Sequence, residues 1–402
     1  MSRQSWHSFR LARVQSASAC AIIQRIAQFK EGTGDPFQRR CAVPIPRFAP
    51  DSAGQTMEDY LRSFAVEGEI CEQLEEQRIR CLACAHRCLI LPGQRGICQV
   101  RYNEQGRLMV PKGYVSSVQC DPIEKKPFFH VLPGALALSF GMLGCDYHCS
   151  FCQNWITSQA LRDPAAGAPV RAFRAEDLVA LALESGAKIV TSTYNEPLIT
   201  AEWAMEIFTR ARDKGLLTSF VSNGNATREV LEYLAPVLDF YKVDLKAFTK
   251  EVYREVGGRL EPVLETIRNL HEMGKWVEIV TLVIPGMNDS DDELDRMAAF
   301  IAGVSTNIPW HVTAYRPEYK MHSPGATPIP TLLRAVELGR AAGLHYVYAG
   351  NLPGLVSDAE NTRCPSCGEL LVERHGFRIG TYRMDGSQCA ACGAQIAGRW
   401  TE

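Results

Sequence analysis

Between residues 135 and 350, short runs rich in β-branched and aromatic residues alternate with helical segments, and this alternation limits the fold more than any other feature. The runs are residues 135–143, 187–192, 216–221, 240–245, 277–283, 310–314 and 345–348. Such spacing is that of βα units, in which helices cover a parallel sheet. The intervening segments carry helical signatures. Leu294, Met297, Ala298 and Ile301 fall at i, i+3, i+4 and i+7 behind Ser290 and Glu293, a capping box. Val263, Ile267 and Leu270 run up to Gly274, a left-handed helix end. The expected fold is therefore α/β, a partial (β/α)6-type parallel barrel with small Cys-rich modules at both ends. Residues 1–67 are expected to be a disordered extension, 68–134 the first Cys-rich module with a linker, 135–352 the barrel, and 353–402 a zinc-ribbon-like module.

A barrel of this kind places its active site at the C-terminal ends of the strands, and the polar motifs sort accordingly. Cys145, Cys149 and Cys152, spaced C-x3-C-x2-C, follow the first strand. Tyr194-Asn195-Glu196-Pro197 follows the second and Ser222-Asn223-Gly224 the third. Asp244-Leu245-Lys246 ends the fourth, Ile284-Pro285-Gly286-Met287-Asn288-Asp289 follows the fifth, and Tyr315-Arg316-Pro317 the sixth. Three cysteines are one ligand short of a closed metal site. They suit a 4Fe–4S cluster with one iron left open, or a zinc loop that borrows a fourth ligand such as His148.

Composition narrows the class. Of 402 residues 46% are hydrophobic and the formal net charge is -2, without a basic stripe interleaved with aromatics, which disfavours nucleic acid as a partner. The longest apolar stretch, residues 131–144, is broken by Pro133, Gly134 and Gly141 and is too short to span a bilayer. No membrane partner is expected. Eleven of the fifteen cysteines fall in three compact groups, which argues for metal or cluster ligation in a reducing, cytoplasmic setting rather than disulfides. Cys20, Cys41, Cys71 and Cys120 are scattered and read as small apolar residues. Residues 1–50 carry seven arginines against Glu31 and Asp35, a transit-like bias. The ordinary sequence beginning at Met57 favours an extension or an over-long gene start.

The cysteine spacing, with Phe151 before the last cysteine, resembles the signature of the radical SAM superfamily. The resemblance implies a 4Fe–4S cluster whose open iron chelates S-adenosylmethionine, reductive cleavage to a 5'-deoxyadenosyl radical, and an electron donor of flavodoxin or ferredoxin type. It also implies tasks for the strand-end motifs. Glu196 would accept from the ammonium of S-adenosylmethionine, with Asn195 beside it. Asp244 would bond the ribose hydroxyls, Lys246 would meet the carboxylate, and Ser222 and Asn223 would reach the ribose or sulfonium end. Phe151, Val280 and Leu282 would flank the adenine. Asp244-Leu245-Lys246 and Ser222-Asn223-Gly224 are similar to motifs of pyruvate formate-lyase activating enzymes, whereas Tyr194-Asn195 stands where many superfamily members have two glycines.

Two further cysteine groups flank the barrel. Cys81, Cys84, Cys88 and Cys98 form a C-x2-C-x3-C-x9-C set that fits zinc or an auxiliary 4Fe–4S cluster. Cys364, Cys367, Cys389 and Cys392 form two C-x2-C-G knuckles, a zinc-ribbon pattern. Between the first group and the barrel lies Asp121-Pro122-Ile123-Glu124-Lys125-Lys126-Pro127, then Phe128-Phe129-His130. It reads either as a rigid solvated linker or as a segment that brings Lys125, Lys126 or His130 to the barrel mouth. With Cys152-Gln153-Asn154-Trp155 and Tyr348-Ala349-Gly350-Asn351, this layout resembles the AmmeMemoRadiSam system radical SAM enzyme family from about Glu69 onward. The family implies association with Memo-like and AMMECR-like proteins and a substrate still to be found, a protein or peptide side chain being expected. A glycyl-radical enzyme activase is the alternative within enzymes. A non-catalytic iron–sulfur or zinc electron carrier or adaptor is the alternative outside them.

Overall fold

The computed structural model describes residues 56–401. Its centre is an eight-stranded sheet: β1 (Ser117–Pro122), β2 (Leu136–Gly141), β3 (Ile189–Ser192), β4 (Leu217–Ser222), β5 (Phe240–Asp244), β6 (Trp276–Val283), β7 (Trp310–Ala314) and β8 (Val347–Gly350). Neighbours in the sheet are neighbours in sequence from one edge to the other. β1 runs antiparallel to β2 and all other pairs are parallel. The helices that cross between parallel strands are α1 (Ala175–Glu184), α2 (Ala201–Asp213), α3 (Arg228–Leu234), α4 (Leu260–Glu272), α5 (Asp291–Val304) and α6 (Ile329–Ala341). Right-handed crossovers taken always in the same direction put every helix on one face of the sheet. The other face is left for side chains and ligands.

Two cores follow from strand alternation. Phe140, Trp203, Phe208 and Phe220 belong to the large cluster between sheet and helices. Ile123, Phe128, Val131, Leu132, Ala137, Ile189 and Phe240 form a smaller one at the N-terminal ends of the strands. The seven strands lie within one or two residues of the sequence expectation, and β1 is an addition to it. Gly274 ends α4 in the left-handed region, φ 68°. The capping box at α5 forms by half: Ser290 accepts from the Glu293 N–H at 3.3 Å, but the Glu293 carboxylate turns to the Phe248 N–H at 2.6 Å.

Three expectations need correction. Residues 57–67, assigned to the extension, include a helix (Met57–Arg62) and a strand (Ala65–Glu67) paired to Arg107–Pro111; the arginine-rich stretch itself, with Cys20 and Cys41, lies outside the described residues. The segment after Asp121 is no solvated linker. It runs from β1 into a short turn of helix, Ile123–Lys125, and buries Glu124, Lys126 and His130. Nor does His130 reach the strand C-termini: its ring meets the Ala397 carbonyl at 2.7 Å and the Tyr348 hydroxyl at 2.6 Å, and its N–H, like that of Phe129, donates to Glu278 at 2.9 Å.

Candidate functional site: a cysteine loop held by strand-end locks

The loop after β2 turns at Gly144, where φ is 93° and a Cβ would stand 2.9 Å from Val100 Cγ1 and 3.1 Å from the Cys98 carbonyl oxygen. Only glycine combines that conformation with that approach. Cys149 is buried, and Cys145 and Cys152 are partly covered. Two polar groups already face the sulfurs: the Tyr147 N–H donates to Cys145 Sγ at 3.3 Å, and the Ser158 hydroxyl shares a hydrogen bond with Cys152 Sγ at 3.2 Å. Burial pushes the Cys149 thiol up to about 12, with Lys246 pulling it back. A bound cation is what would make such thiols thiolates. Phe151 packs into the core beside them.

The flanking strand ends hold this loop through buried polar contacts. Asp146 accepts from Asn223 Nδ2 at 2.7 Å and from Asn225 Nδ2 at 2.8 Å. Glu196 accepts from the Leu198 N–H at 3.1 Å, the Ser222 hydroxyl at 2.7 Å and the Asn223 N–H at 2.8 Å. Burial first, then Asp146, pushes the Glu196 carboxyl up, while these donors oppose the shift. Asn195 Oδ1 accepts from the Met142 N–H at 2.9 Å. Glu196 thus ties the loop after β3 to that after β4, and Asn223 and Asn225 tie the latter to the cysteines. The side chains of Asn195, Glu196, Ser222 and Asn223 all stand at the expected end of the sheet, each in a protein–protein hydrogen bond.

At the end of β5, Asp244 pairs with Lys242 and, at 3.3 Å, with Lys246. Burial raises the Asp244 carboxyl, yet the two ammonium groups outweigh it and hold it below its ordinary value. Burial acts against Lys246 too, and Asp244 followed by Cys149 and Cys152 holds it above its ordinary value. Asn288 fixes this corner, donating to the Lys246 and Leu282 carbonyls at 2.7 and 2.9 Å and accepting from the Ile284 N–H at 2.7 Å. Sequence reasoning missed Asp146, Asn225 and Lys242 as parts of the site. Asp146 sits inside the cysteine motif, and Asn225 follows Ser222-Asn223-Gly224 directly, so adjacency was the available signal.

In the C-terminal module Cys364 Sγ lies 3.7 Å from Cys392 Sγ, and Cys367 Sγ 3.8 Å from Cys389 Sγ. All four sulfurs are within 4.8 Å of one another, a group able to hold a metal ion. The module packs through Trp400, Ile396 and Leu371 on Tyr346, Tyr348 and Phe129. Arg374 donates to the Phe129 carbonyl at 2.6 Å. The N-terminal module is joined to the sheet by Arg101, whose guanidinium meets Glu202 of α2 through two 2.7 Å bonds.

Three thiols, with a polar group on two of their sulfurs, thus stand beside an acid–base cluster at the adjacent strand ends. The model of the radical SAM superfamily matches residues 141–301, and the chain belongs to that superfamily. It is 36% identical over 335 residues to the uncharacterized protein MJ0808 of Methanocaldococcus jannaschii, covering 82% of this chain and 98% of that one. It is also similar to the pyruvate formate-lyase-activating enzyme of Streptococcus mutans, 24% identical over 181 residues, 42% of this chain and 66% of the enzyme. The pyruvate formate-lyase 1-activating enzyme of Escherichia coli is 28% identical over 177 residues, 42% of this chain and 69% of the enzyme. Among the described residues, no helix is long and apolar enough to cross a membrane.

Proposed function

We propose that this chain is a radical SAM enzyme of the AmmeMemoRadiSam type, built on a partial (β/α)6 barrel, that removes hydrogen from a C–H bond of a protein or peptide. Cys145, Cys149 and Cys152 would hold the 4Fe–4S cluster. When bound, the cluster and S-adenosylmethionine supply a one-electron cleavage that yields methionine and a 5'-deoxyadenosyl radical. The observation that carries the reading is the cysteine trio with the Tyr147 N–H and the Ser158 hydroxyl on its sulfurs, at the strand ends that also hold the Asp244–Lys246 pair.

The chain's own residues bind, orient and exclude water. Lys246, with its charge retained, meets a carboxylate, and Asp244 offers acceptors to ribose hydroxyls while it neutralises Lys242 and Lys246. Glu196 and Asp146 keep the loops after β3 and β4 on the cysteine loop. In this reading Phe151, Val280 and Leu282 would flank the adenine. The C-terminal ribbon would take zinc, because an ion with Zn–S bonds of about 2.3 Å sets tetrahedral sulfurs about 3.8 Å apart, and the Cys364–Cys392 and Cys367–Cys389 pairs stand at 3.7 and 3.8 Å. The partners in this reading are a flavodoxin- or ferredoxin-type electron donor and Memo-like and AMMECR-like proteins, with the cytoplasm as setting.

A second reading takes a glycyl-radical enzyme as the substrate. The activating-enzyme relatives favour it, while two flanking Cys modules favour the first. The experiment is anaerobic reconstitution with iron and sulfide, then dithionite and S-adenosylmethionine, with chromatography of the products. 5'-Deoxyadenosine is expected. A fully loaded protein that forms none is a carrier or adaptor and not an enzyme of this class.

A further inference from the structure

The spacing of thiols separates the two flanking modules. In the C-terminal ribbon four sulfurs converge within 4.8 Å of one another, as a single tetrahedral ion requires. Among the described residues this is the one such group of three or more, so no three of Cys81, Cys84, Cys88 and Cys98 converge on a point in that way. They nonetheless share one folded frame. The Cys81 N–H donates to the Cys88 carbonyl at 2.9 Å, and the Gly96 N–H to the Arg101 carbonyl at 2.8 Å. The Ile97 N–H points at Cys88 Sγ at 3.5 Å. Cys81, Cys84 and Cys98 are buried and Cys88 partly so.

The chain supplies its own comparison. Cys145, Cys149 and Cys152 belong to the superfamily's iron–sulfur motif, and they too stay outside the 4.8 Å grouping. Thiols that do not meet at one point suit a polynuclear cluster, because its thiolates bind different irons. We propose that Cys81, Cys84, Cys88 and Cys98 ligate a second iron–sulfur cluster, and not zinc. The Ile97 N–H then serves Cys88 as the Tyr147 N–H serves Cys145.

The second site lies against the first. A Cβ on Gly144, next to Cys145, would be 3.1 Å from the Cys98 carbonyl oxygen, which puts the two cysteines' Cα atoms at most about 11 Å apart. Arg162 bridges the two loops, donating to the Tyr147 carbonyl at 2.9 Å and to the Ile97 carbonyl. Asn225 does so on the other side, its side chain on Asp146 at 2.8 Å and its carbonyl on the Ala85 N–H at 2.9 Å. This inference rests on thiol geometry and survives even if S-adenosylmethionine cleavage fails.

The test uses the full chain with Cys145, Cys149 and Cys152 all changed to serine, loaded anaerobically with iron and sulfide. Iron, acid-labile sulfide and zinc are counted, and the iron is typed by Mössbauer spectroscopy. About four iron and four sulfide per chain are expected, with zinc near one per chain in the ribbon. Adding Cys81→Ser and Cys84→Ser should abolish the iron and leave the zinc. Two zinc without sulfide, or no metal beyond the ribbon's, overturns the proposal. Should the triple variant fail to fold, Cys98→Ser alone in the otherwise unaltered chain should halve the iron, and unchanged iron overturns the proposal equally.

Discussion

Asp244 serves as counterion to two lysines, and Asp244→Asn isolates that role because the amide keeps the shape and loses the charge. Lys242 has a side chain 5% exposed, Lys246 one 15% exposed, and Asp244 one 31% exposed. Removing one member of a buried ion pair leaves a charge without a partner and costs about 3–5 kcal/mol. Because water reaches Asp244, the lower figure of about 3 kcal/mol applies here. If Lys242 is the stranded charge, the double variant Lys242→Met/Asp244→Asn should regain most of the loss. The assay is urea unfolding of the metal-loaded protein under anaerobic conditions, at one pH, for wild type, both single variants and the double. Asp244→Asn should lower the midpoint most, with an unchanged slope. The reasoning fails if Asp244→Asn unfolds within 1 kcal/mol of wild type, or if the double variant is no more stable than Asp244→Asn. S-adenosylmethionine affinity, measured on the same set, should fall in both Asp244 variants while iron content holds.

Other perturbations test other joints. Burial pushes the Glu124 carboxyl up to about 7 against the pull of Arg374. A carboxyl raised on folding stabilises the fold fully below its unfolded value near 4.5 and loses that contribution as pH rises through about 7, at most about 3 kcal/mol. Glu124→Gln should flatten that part of the wild-type stability–pH curve, and identical curves would contradict the assignment. Gly144→Ala puts a methyl 2.9 Å from Val100 Cγ1 and 3.1 Å from the Cys98 carbonyl oxygen; iron content should fall while zinc in the ribbon stays, and full iron loading would show that the loop tolerates the shift. Arg101→Leu strands the largely buried Glu202 carboxylate at a cost of about 3 kcal/mol, so amide exchange over residues 68–111 should accelerate selectively, and uniform protection would refute the role of this pair as the module's anchor.

The parallel strands were legible because each is buried on both faces and bounded by turns, so runs such as 240–245 and 310–314 stand out against the helices. β1 was not, since Ser117–Pro122 mixes Gln119 and Asp121 with Val118 and Cys120 and ends in proline, the pattern of an edge strand. The cysteine loop and its neighbours were legible from their order after successive strands. The locks were not. A motif says that Glu196 and Asn223 stand near the site, and only the fold shows that they bond each other and that Asp146 takes both asparagines. His130 misled for a related reason: its place before β2 gives it no direction, and the apolar residues around it, Phe128, Val131 and Leu132, carry it to the opposite end of the sheet.

The central claim is an iron with a free coordination position beside Lys246 and Asp244. Its most direct test is pulsed ENDOR on the dithionite-reduced protein, frozen with S-adenosylmethionine carrying 15N at the amino group and 17O at the carboxylate. Hyperfine coupling from both nuclei to the Cys145–Cys149–Cys152 cluster is predicted, weakened when Lys246 is replaced by alanine. A reduced cluster whose spectrum shows neither coupling has its fourth iron already taken by the protein, and the assignment falls.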